Sequence, residues 1–115
     1  MSTSYLFFRP TRLPLQSDEL DEETVVPLGD PAAVRQALAR VLPDIAWDEQ
    51  TGKAQWEGQW LELTAPSQAD DTLSMRCSLR ADYTALVQKL CDELGWLAFD
   101  DRPCCFQPGR APMPA

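Results

Sequence analysis

Two stretches of the chain carry apolar side chains at helical spacing, and each has the signals that start and end a helix. In the first, Asp30 and Pro31 precede apolar residues at i, i+3, i+4, i+7 and i+8, and the pattern ends at Pro43. The second stretch begins at Asp82, whose carboxylate can accept hydrogen bonds from the first turn, and ends at Gly95. Both patterns predict helices with one apolar face that suits packing against a sheet.

Elsewhere the apolar residues recur at every second position or form short aromatic runs, which is typical of strands. Residues 5–8 predict a strand that Pro10 stops, and residues 45–48 and 53–57 predict a hairpin around Gly52. In that turn we expect Gly52 to adopt a positive φ. The remaining predicted strands are residues 60–64, 72–80, 96–99 and 104–106.

The stretch 72–80 has the clearest alternation of apolar and polar residues. Leu73, Met75, Cys77 and Leu79 are expected to point into the core, while the residues between them face water. A polar loop is expected just before this strand, at residues 65–71. One face of the predicted sheet is therefore buried and the other is wet.

The order of elements is strand, helix, three or four antiparallel strands, helix and strand. This order predicts an α+β fold with a mostly antiparallel sheet and two helices packed on one face, close to a ferredoxin-like plait with extra strands. With 115 residues, the chain has the size of one compact domain. We expect a single α+β domain at residues 1–107 and a flexible, proline-rich tail at residues 108–115.

Charge is unevenly distributed along the chain. Ten basic and eighteen acidic residues give a net charge of −8, and the region 18–23 is acidic at five of its six positions: Asp18, Glu19, Asp21, Glu22 and Glu23. Because phosphate binding requires clustered lysine and arginine, neither nucleic acid nor an anionic membrane is an expected partner. The acidic run lies in a long predicted loop at residues 11–28. It is either a solvated loop or a surface that attracts a basic protein partner.

Four tryptophans are many for a chain of this size. Trp56 and Trp60 flank Gly58 and alternate with polar residues, so they are not readily assigned to the core. They either cover the sheet and its ends or anchor a partner, because exposed tryptophan is enriched in binding hot spots.

The residue types disfavour most enzyme mechanisms. The chain has no histidine and therefore no imidazole base or ligand. Cys104 and Cys105 are adjacent, whereas metal and redox motifs separate their thiols by two residues. Asp100 and Asp101 are favoured as turn residues over a catalytic pair, and the isolated glycines form no nucleotide-binding loop. No cofactor, metal or catalytic residue is assigned, and an enzyme is not the favoured interpretation.

The N-terminus lacks the basic leader and long apolar core of a signal peptide, and its first apolar run covers only residues 5–8. A membrane-spanning helix needs about twenty apolar residues. We therefore expect a soluble, cytoplasmic protein, in which the four cysteines are reduced.

Three stretches look like those of a known group of proteins: YLFFRP at residues 5–10, SMRCSLRADY at 74–83 and CDELGWLAFD at 91–100. With them, the chain resembles a family of small, uncharacterised bacterial cytoplasmic α/β proteins that has no known activity. The resemblance implies no cofactor and no catalytic residue. Small acidic proteins of this kind are sometimes immunity proteins that neutralise a toxin.

The favoured hypothesis is a non-enzymatic protein-binding module with an acidic surface, in which the five acidic residues contact a basic partner and Trp56 or Trp60 is an apolar anchor. An immunity-like role is one form of this hypothesis. The alternative is a small-molecule-binding domain or enzyme with a pocket between sheet and helices. Its rim would contain Asp100, Asp101, Arg76 or Arg80. Self-association into a homo-oligomer through the sheet is a third possibility.

Overall fold

The computed structural model describes residues 2–68, 72–102 and 104–114. These residues form nine strands, two α-helices and a short 3₁₀ turn at Ser17–Glu19. The helices are α1 (Pro31–Val41) and α2 (Thr84–Leu94). In chain order the strands are β1 (Ser2–Pro10), β2 (Val25–Val26), β3 (Ala46–Asp48), β4 (Thr51–Trp56), β5 (Gln59–Thr64), β6 (Leu73–Ser78), β7 (Leu97–Asp100), β8 (Cys104–Phe106) and β9 (Met113–Pro114).

The strands form one sheet in the order β3, β4, β5, β6, β1, β7, β8, β9, and β2 pairs with the end of β1. The pairs formed by the described strands are all antiparallel. This confirms the α+β class, the mostly antiparallel sheet and the two helices. The sheet has nine strands, more than we expected, and the ferredoxin-like plait is not confirmed.

The main core lies between one face of the sheet and the two helices. Phe7, Leu61 and Met75 point to this face from three strands, and they pack with Leu38 of α1 and Leu90 of α2. All five side chains are fully buried. Because alternate residues of a strand face opposite sides, these positions fix which side chains lie on the other face.

The helix boundaries agree with the predicted ones except at the start of α2, which begins at Thr84 with Tyr83, rather than Asp82, at the N-cap position. The Asp30 side chain accepts a hydrogen bond from Ala32 N at 3.2 Å, and α1 ends before Pro43. The Asp82 carboxylate accepts hydrogen bonds from the Thr84 hydroxyl at 2.6 Å and from Thr84 N at 2.9 Å, and these two bonds lower the pKa of Asp82. Gly95 closes α2 with a φ of 71°.

The hairpin between β3 and β4 differs from the expectation in its glycine. The positive φ, 55°, belongs to Glu49, and Gly52 lies inside β4 in an extended conformation. Glycine is needed there for space, since a Cβ on Gly52 would lie 2.7 Å from Ile45 Cδ1 and 2.9 Å from the Trp47 ring. Close approach of neighbouring side chains, rather than turn geometry, therefore explains this glycine.

Strand β6 is shorter than the predicted stretch 72–80, and the difference changes the position of one leucine. Leu73, Met75 and Cys77 are fully buried, as expected. Leu79 is 53% exposed because the strand ends at Ser78, whose hydroxyl accepts a hydrogen bond from Arg80 N. The chain turns there, and the alternation no longer applies.

The C-terminal segment contributes to the sheet. β9 pairs with β8, and Gly109 N donates a 2.8 Å hydrogen bond to the Asp92 carboxylate on α2. Regular structure therefore continues beyond the boundary expected at residue 107. Residues 69–71, which belong to the expected polar loop, lie outside the described residues. Of the helices that the structure describes, none is long and apolar enough to span a membrane.

The first prediction concerns the close packing at Gly52. Gly52→Ala should destabilise the protein by about 1 to 3 kcal/mol, because the added methyl group meets Ile45 and Trp47. Urea denaturation monitored by fluorescence measures the loss. Lys53→Ala, at the exposed neighbouring position, is the control and should change stability by less than about 0.5 kcal/mol. An equal effect of the two substitutions would show that Gly52 is not sterically required.

Candidate functional site

Part of the sheet face opposite the helices is covered by residues 11–24, which we call the acidic loop. Leu15 from this loop packs against Leu97 and Cys105 of the sheet, and all three side chains are fully buried. Phe8 and Phe99 pack against this small second core with their rings in an edge-to-face contact at 5.7 Å. The acidic loop is thus a packed part of the fold, with its own apolar contacts.

A buried amide fixes the acidic loop to the end of the sheet. The Gln107 side chain is fully buried; its Oε1 accepts a hydrogen bond from Leu15 N at 3.0 Å and its Nε2 donates to Leu15 O at 2.7 Å. Both backbone groups of Leu15 would otherwise be buried without a partner, at a cost of about 1 to 3 kcal/mol each. This pair of bonds joins residues that are 92 positions apart in sequence.

The ends of the acidic loop are also joined. Thr11 donates from its backbone N to Thr24 O at 2.9 Å and from its hydroxyl to Glu23 O at 3.1 Å. The Ser17 hydroxyl bonds to Pro114 O on β9 at 2.7 Å. A surface loop whose ends meet and whose side chains pack internally resembles an Ω-loop, a type that is frequently functional.

Two of the five predicted acidic residues hold the loop in shape. The Glu19 carboxylate accepts a 2.9 Å hydrogen bond from Gln16 N and lies 2.7 Å from the Arg12 guanidinium. These contacts, the Gln16 bond first, hold the pKa of Glu19 below its usual value. The Asp21 carboxylate accepts bonds from the backbone N atoms of Glu23 and Thr24 at 2.8 and 3.1 Å.

The other three predicted acidic residues point away from the loop. Asp18, Glu22 and Glu23 are exposed, and their carboxylates form no hydrogen bond or ion pair with any of the residues described here. They are the part of the acidic run that is free to contact a partner.

An apolar cleft lies between the acidic loop and the sheet. Its volume is about 460 Å³. Leu6 is 43% exposed in this cleft, although it lies on a central strand. The other apolar residues of the cleft come from β1, the loop, β2 and β7: Phe8, Leu20, Val25 and Phe99. Ser17, Asp21 and Glu22 line its edge, so the apolar surface has an acidic border.

Trp60 lies on the same sheet face as the cleft, two strands away. It is 40% exposed, and the Arg76 guanidinium lies 5.7 Å from its ring centroid. Arg76 also forms an ion pair with Glu62 at 3.2 Å. Exposed contacts of these two kinds contribute little to stability. They show, however, that Trp60, Arg76 and Glu62 lie together on the open face of the sheet.

Trp56 lies on the opposite face of the sheet. It pairs with Gln59, which shares a face with the fully buried Leu61, and it packs against the main core. Its Nε1 is buried and forms no hydrogen bond with the residues described. Trp56 also lines a cavity of about 490 Å³ between the end of α1 and β4. The structure therefore does not bring Trp56 and Trp60 together.

The residues of the alternative pocket are also separated. Asp100 and Asp101 line a polar cleft of about 370 Å³ beside Asp82 and Tyr5. Asp100 pairs with Tyr5 and lies on the helix side of the sheet, whereas Arg76 lies on the other face. Arg80 is in the exposed turn after β6.

The turn interpretation of Asp100 is confirmed. Its carboxylate accepts hydrogen bonds from Arg102 N at 2.9 Å and Cys104 N at 2.6 Å. These bonds form the connection between β7 and β8, which is ordinary turn chemistry for aspartate.

The buried thiols are poor nucleophiles. Burial raises the pKa of Cys77 and of Cys105 to about 11, and that of Cys91 to about 12. Since the thiolate is the reactive form, these three residues are inert near neutral pH. Within the described ranges, no group of three or more His, Cys, Asp and Glu residues is arranged to hold a metal ion.

Comparisons with protein-family models, with curated proteins and with solved structures give no match to this chain. The family resemblance inferred from three stretches of sequence therefore stays a prediction. The functional interpretation depends on the geometry of the acidic loop and the cleft.

The sequence analysis did not assign two groups of residues to this site. Leu6, Phe8 and Phe99 were assigned to strands without a face, although alternation with the buried Phe7 would have placed Leu6 and Phe8 on the open side. Gln107 carried no signal at all, because a single glutamine after a short strand does not reveal a partner so distant in sequence.

The second prediction tests the two hydrogen bonds between the Gln107 side chain and the backbone of Leu15, which we call the Gln107 clamp. Gln107→Leu should cost about 2 to 6 kcal/mol of stability, because it keeps the side-chain size but leaves Leu15 N and O buried and unpaired. Urea denaturation and amide hydrogen exchange at Leu15 provide the measurement. Gln36→Leu, on the exposed side of α1, is the matched control and should have little effect. Unchanged exchange in the Gln107 variant would contradict the clamp.

The third prediction concerns acid. Because the folded state lowers the pKa of Glu19, its stabilising contribution is present above the unfolded pKa and is lost as the pH falls through the folded pKa. An NMR titration should show Glu19 titrating below its usual value of 4.5. In Arg12→Gln the pKa should rise but stay below that value, because Gln16 N still donates. A native Glu19 that titrates at or above the usual value would contradict the loop geometry.

Proposed function

We propose that this protein is a non-enzymatic binding module that attracts a basic protein partner to the sheet face beside the acidic loop. The observation that carries the proposal is that Asp18, Glu22 and Glu23 are exposed on a loop held by buried contacts and have no ion-pair partner in the part of the chain that the structure describes. A carboxylate whose role is to hold the loop in shape accepts hydrogen bonds from the loop backbone, as those of Glu19 and Asp21 do. The three exposed carboxylates lack such bonds among the described residues, and we assign them to partner binding.

A fixed loop favours binding for a physical reason. A flexible acidic segment loses conformational freedom when it is ordered by a partner, and this loss reduces affinity. Here the bonds of Gln107 and Thr11 already fix the backbone. The free carboxylates therefore present a stable negative field, which raises the rate of association with a positively charged surface.

The partner's contact area would include Trp60 rather than Trp56. Trp60 is exposed on the face that the acidic loop borders, and its ring is accessible to an apolar or cationic group. Trp56 packs against the core on the other face. An immunity-like role, in which the acidic surface neutralises a basic partner, belongs to this proposal.

We also propose a cytoplasmic location. The four cysteines are free, and reduced thiols are typical of the cytoplasm, whereas exported proteins tend to form disulfides.

The fold beneath this surface is proposed to be a ferredoxin-like plait with additions at both edges. In chain order, its elements would be β1, α1, β5, β6, α2 and β7, the pattern of such a plait. In the sheet, β1 lies between β6 and β7, and β5 lies beyond β6. The additions are β3 and β4 on one side and β8 and β9 on the other, with β2 at the end of β1.

A second candidate function is small-molecule binding between sheet and helices. The observation in its favour is the cavity between the end of α1 and β4, whose volume of about 490 Å³ lies in the range of ligand sites. The two candidates differ in the surface they use, because this cavity lies on the face opposite the acidic loop.

The fourth prediction tests the binding of a basic partner. Immobilised native protein should capture basic proteins from an extract of the cells that produce it. The triple variant Asp18→Lys, Glu22→Lys and Glu23→Lys should capture them at least about tenfold less, because the attraction becomes repulsion. Capture by the native protein should also fall as salt is raised. Quantitative mass spectrometry of the bound fraction provides the measurement.

The matched control reverses three exposed acidic residues elsewhere on the surface, Asp44, Asp48 and Glu93. This variant has the same net charge as the loop variant, and it should capture the same proteins as the native chain. If the two variants lose the same proteins to the same extent, net charge rather than the acidic loop would account for binding, and the proposal would fail.

A further inference from the structure

We infer that the cleft between the acidic loop and the sheet is an anchor pocket for an apolar side chain, such as leucine, in a lysine- and arginine-rich segment of the partner. The inference rests on the proposed function and adds the part of the partner that fits the site. It assigns a role to the open part of the cleft, and above all to Leu6, which packs in neither of the two cores.

The apolar surface of the cleft is unusual for its position in the fold. Leu6 lies on β1, which is flanked by β6 and β7, yet it is 43% exposed. Its cross-strand neighbours are Phe99 on one side and the small polar Ser74 on the other. A leucine and the adjacent Phe8–Phe99 pair therefore form an apolar floor that is open to solvent. Such surfaces often mark binding sites.

Charge complementarity decides which occupant is favoured. The cleft edge carries Asp21 and Glu22, and Asp18 is exposed in the adjoining 3₁₀ turn. A segment with a leucine between basic residues would bury its apolar side chain on the floor while its cations remain beside these carboxylates. Lysine and arginine side chains keep their charged ends in water, so this arrangement avoids burying a charge.

Other occupants are disfavoured by the same charges. A second copy of the chain would bring another net charge of −8 to an acidic border. An anionic membrane surface would meet the same repulsion. A neutral apolar segment could enter the cleft, but it would gain nothing from the carboxylates.

The test uses two short synthetic peptides that differ at one position. Both are rich in lysine; one has a central leucine and the other a central serine. Isothermal titration calorimetry or NMR titration should show that the full-length native protein binds the leucine peptide about tenfold more tightly, as expected for burial of one aliphatic side chain. Methyl signals of Leu6 and Val25 should shift on binding, whereas those of Leu13 should not.

Variants of the protein separate the anchor from the charge. Leu6→Ser should reduce the preference for the leucine peptide to about twofold or less. Leu13→Ser is the matched control, because Leu13 is also 43% exposed but does not line the cleft, and it should retain the full preference. The double variant Asp18→Lys and Glu22→Lys should weaken both peptides and leave their ratio unchanged.

Three outcomes would overturn the inference. In the first, the native protein binds both peptides equally and loses both in the charge variant, so the proposed function stands and the anchor pocket fails. In the second, neither peptide binds, and the basic-partner proposal fails with it. In the third, dilution-dependent sizing shows a dimer in which the cleft is occluded, so that a second copy is the occupant. The methyl shifts in native protein keep the test valid even if Leu6→Ser does not fold.

Discussion

The candidate site depends on the two hydrogen bonds between the Gln107 amide and the backbone of Leu15. The acidic loop packs Leu15 against the sheet. Because Leu15 is buried there, its backbone N–H and C=O groups need hydrogen-bond partners within the protein. The short-range bonds of the loop, such as those accepted by Asp21, determine its shape. The Gln107 amide, together with the Ser17 bond to β9, determines where that shape lies on the sheet.

Once the loop is placed, its charges no longer form a uniform acidic run. Glu19 contacts Arg12 and accepts a hydrogen bond from Gln16 N, and Asp21 accepts one from Glu23 N, so both carboxylates stabilise the loop itself. The remaining carboxylates face solvent beside an apolar cleft. A negative border around an apolar floor is selective, because it attracts cations at long range and rewards apolar contact at short range. On the proposed function, the same border would repel nucleic acid and a second acidic chain.

The sequence predicted the parts of the fold that local patterns determine. Both helices follow from their caps and periodicity, and the buried residues of β6 follow from alternation. The two-residue strands β2 and β9 are too short to produce a pattern. The opposite faces of Trp56 and Trp60 could have been inferred, since a two-residue turn at Glu57 and Gly58 pairs Trp56 with Gln59. The Gln107 clamp could not, because it is a tertiary contact of one side chain.

The central claim is that the sheet face beside the acidic loop is the binding surface. Its most direct measurement is a map of backbone amide chemical shifts when a captured basic partner is added to labelled protein. The account predicts the largest changes at residues 17–24 and around Leu6 and Phe99. The largest changes around Trp56 and the end of α1, with the acidic loop unaffected, would contradict it and favour the cavity on the helix side.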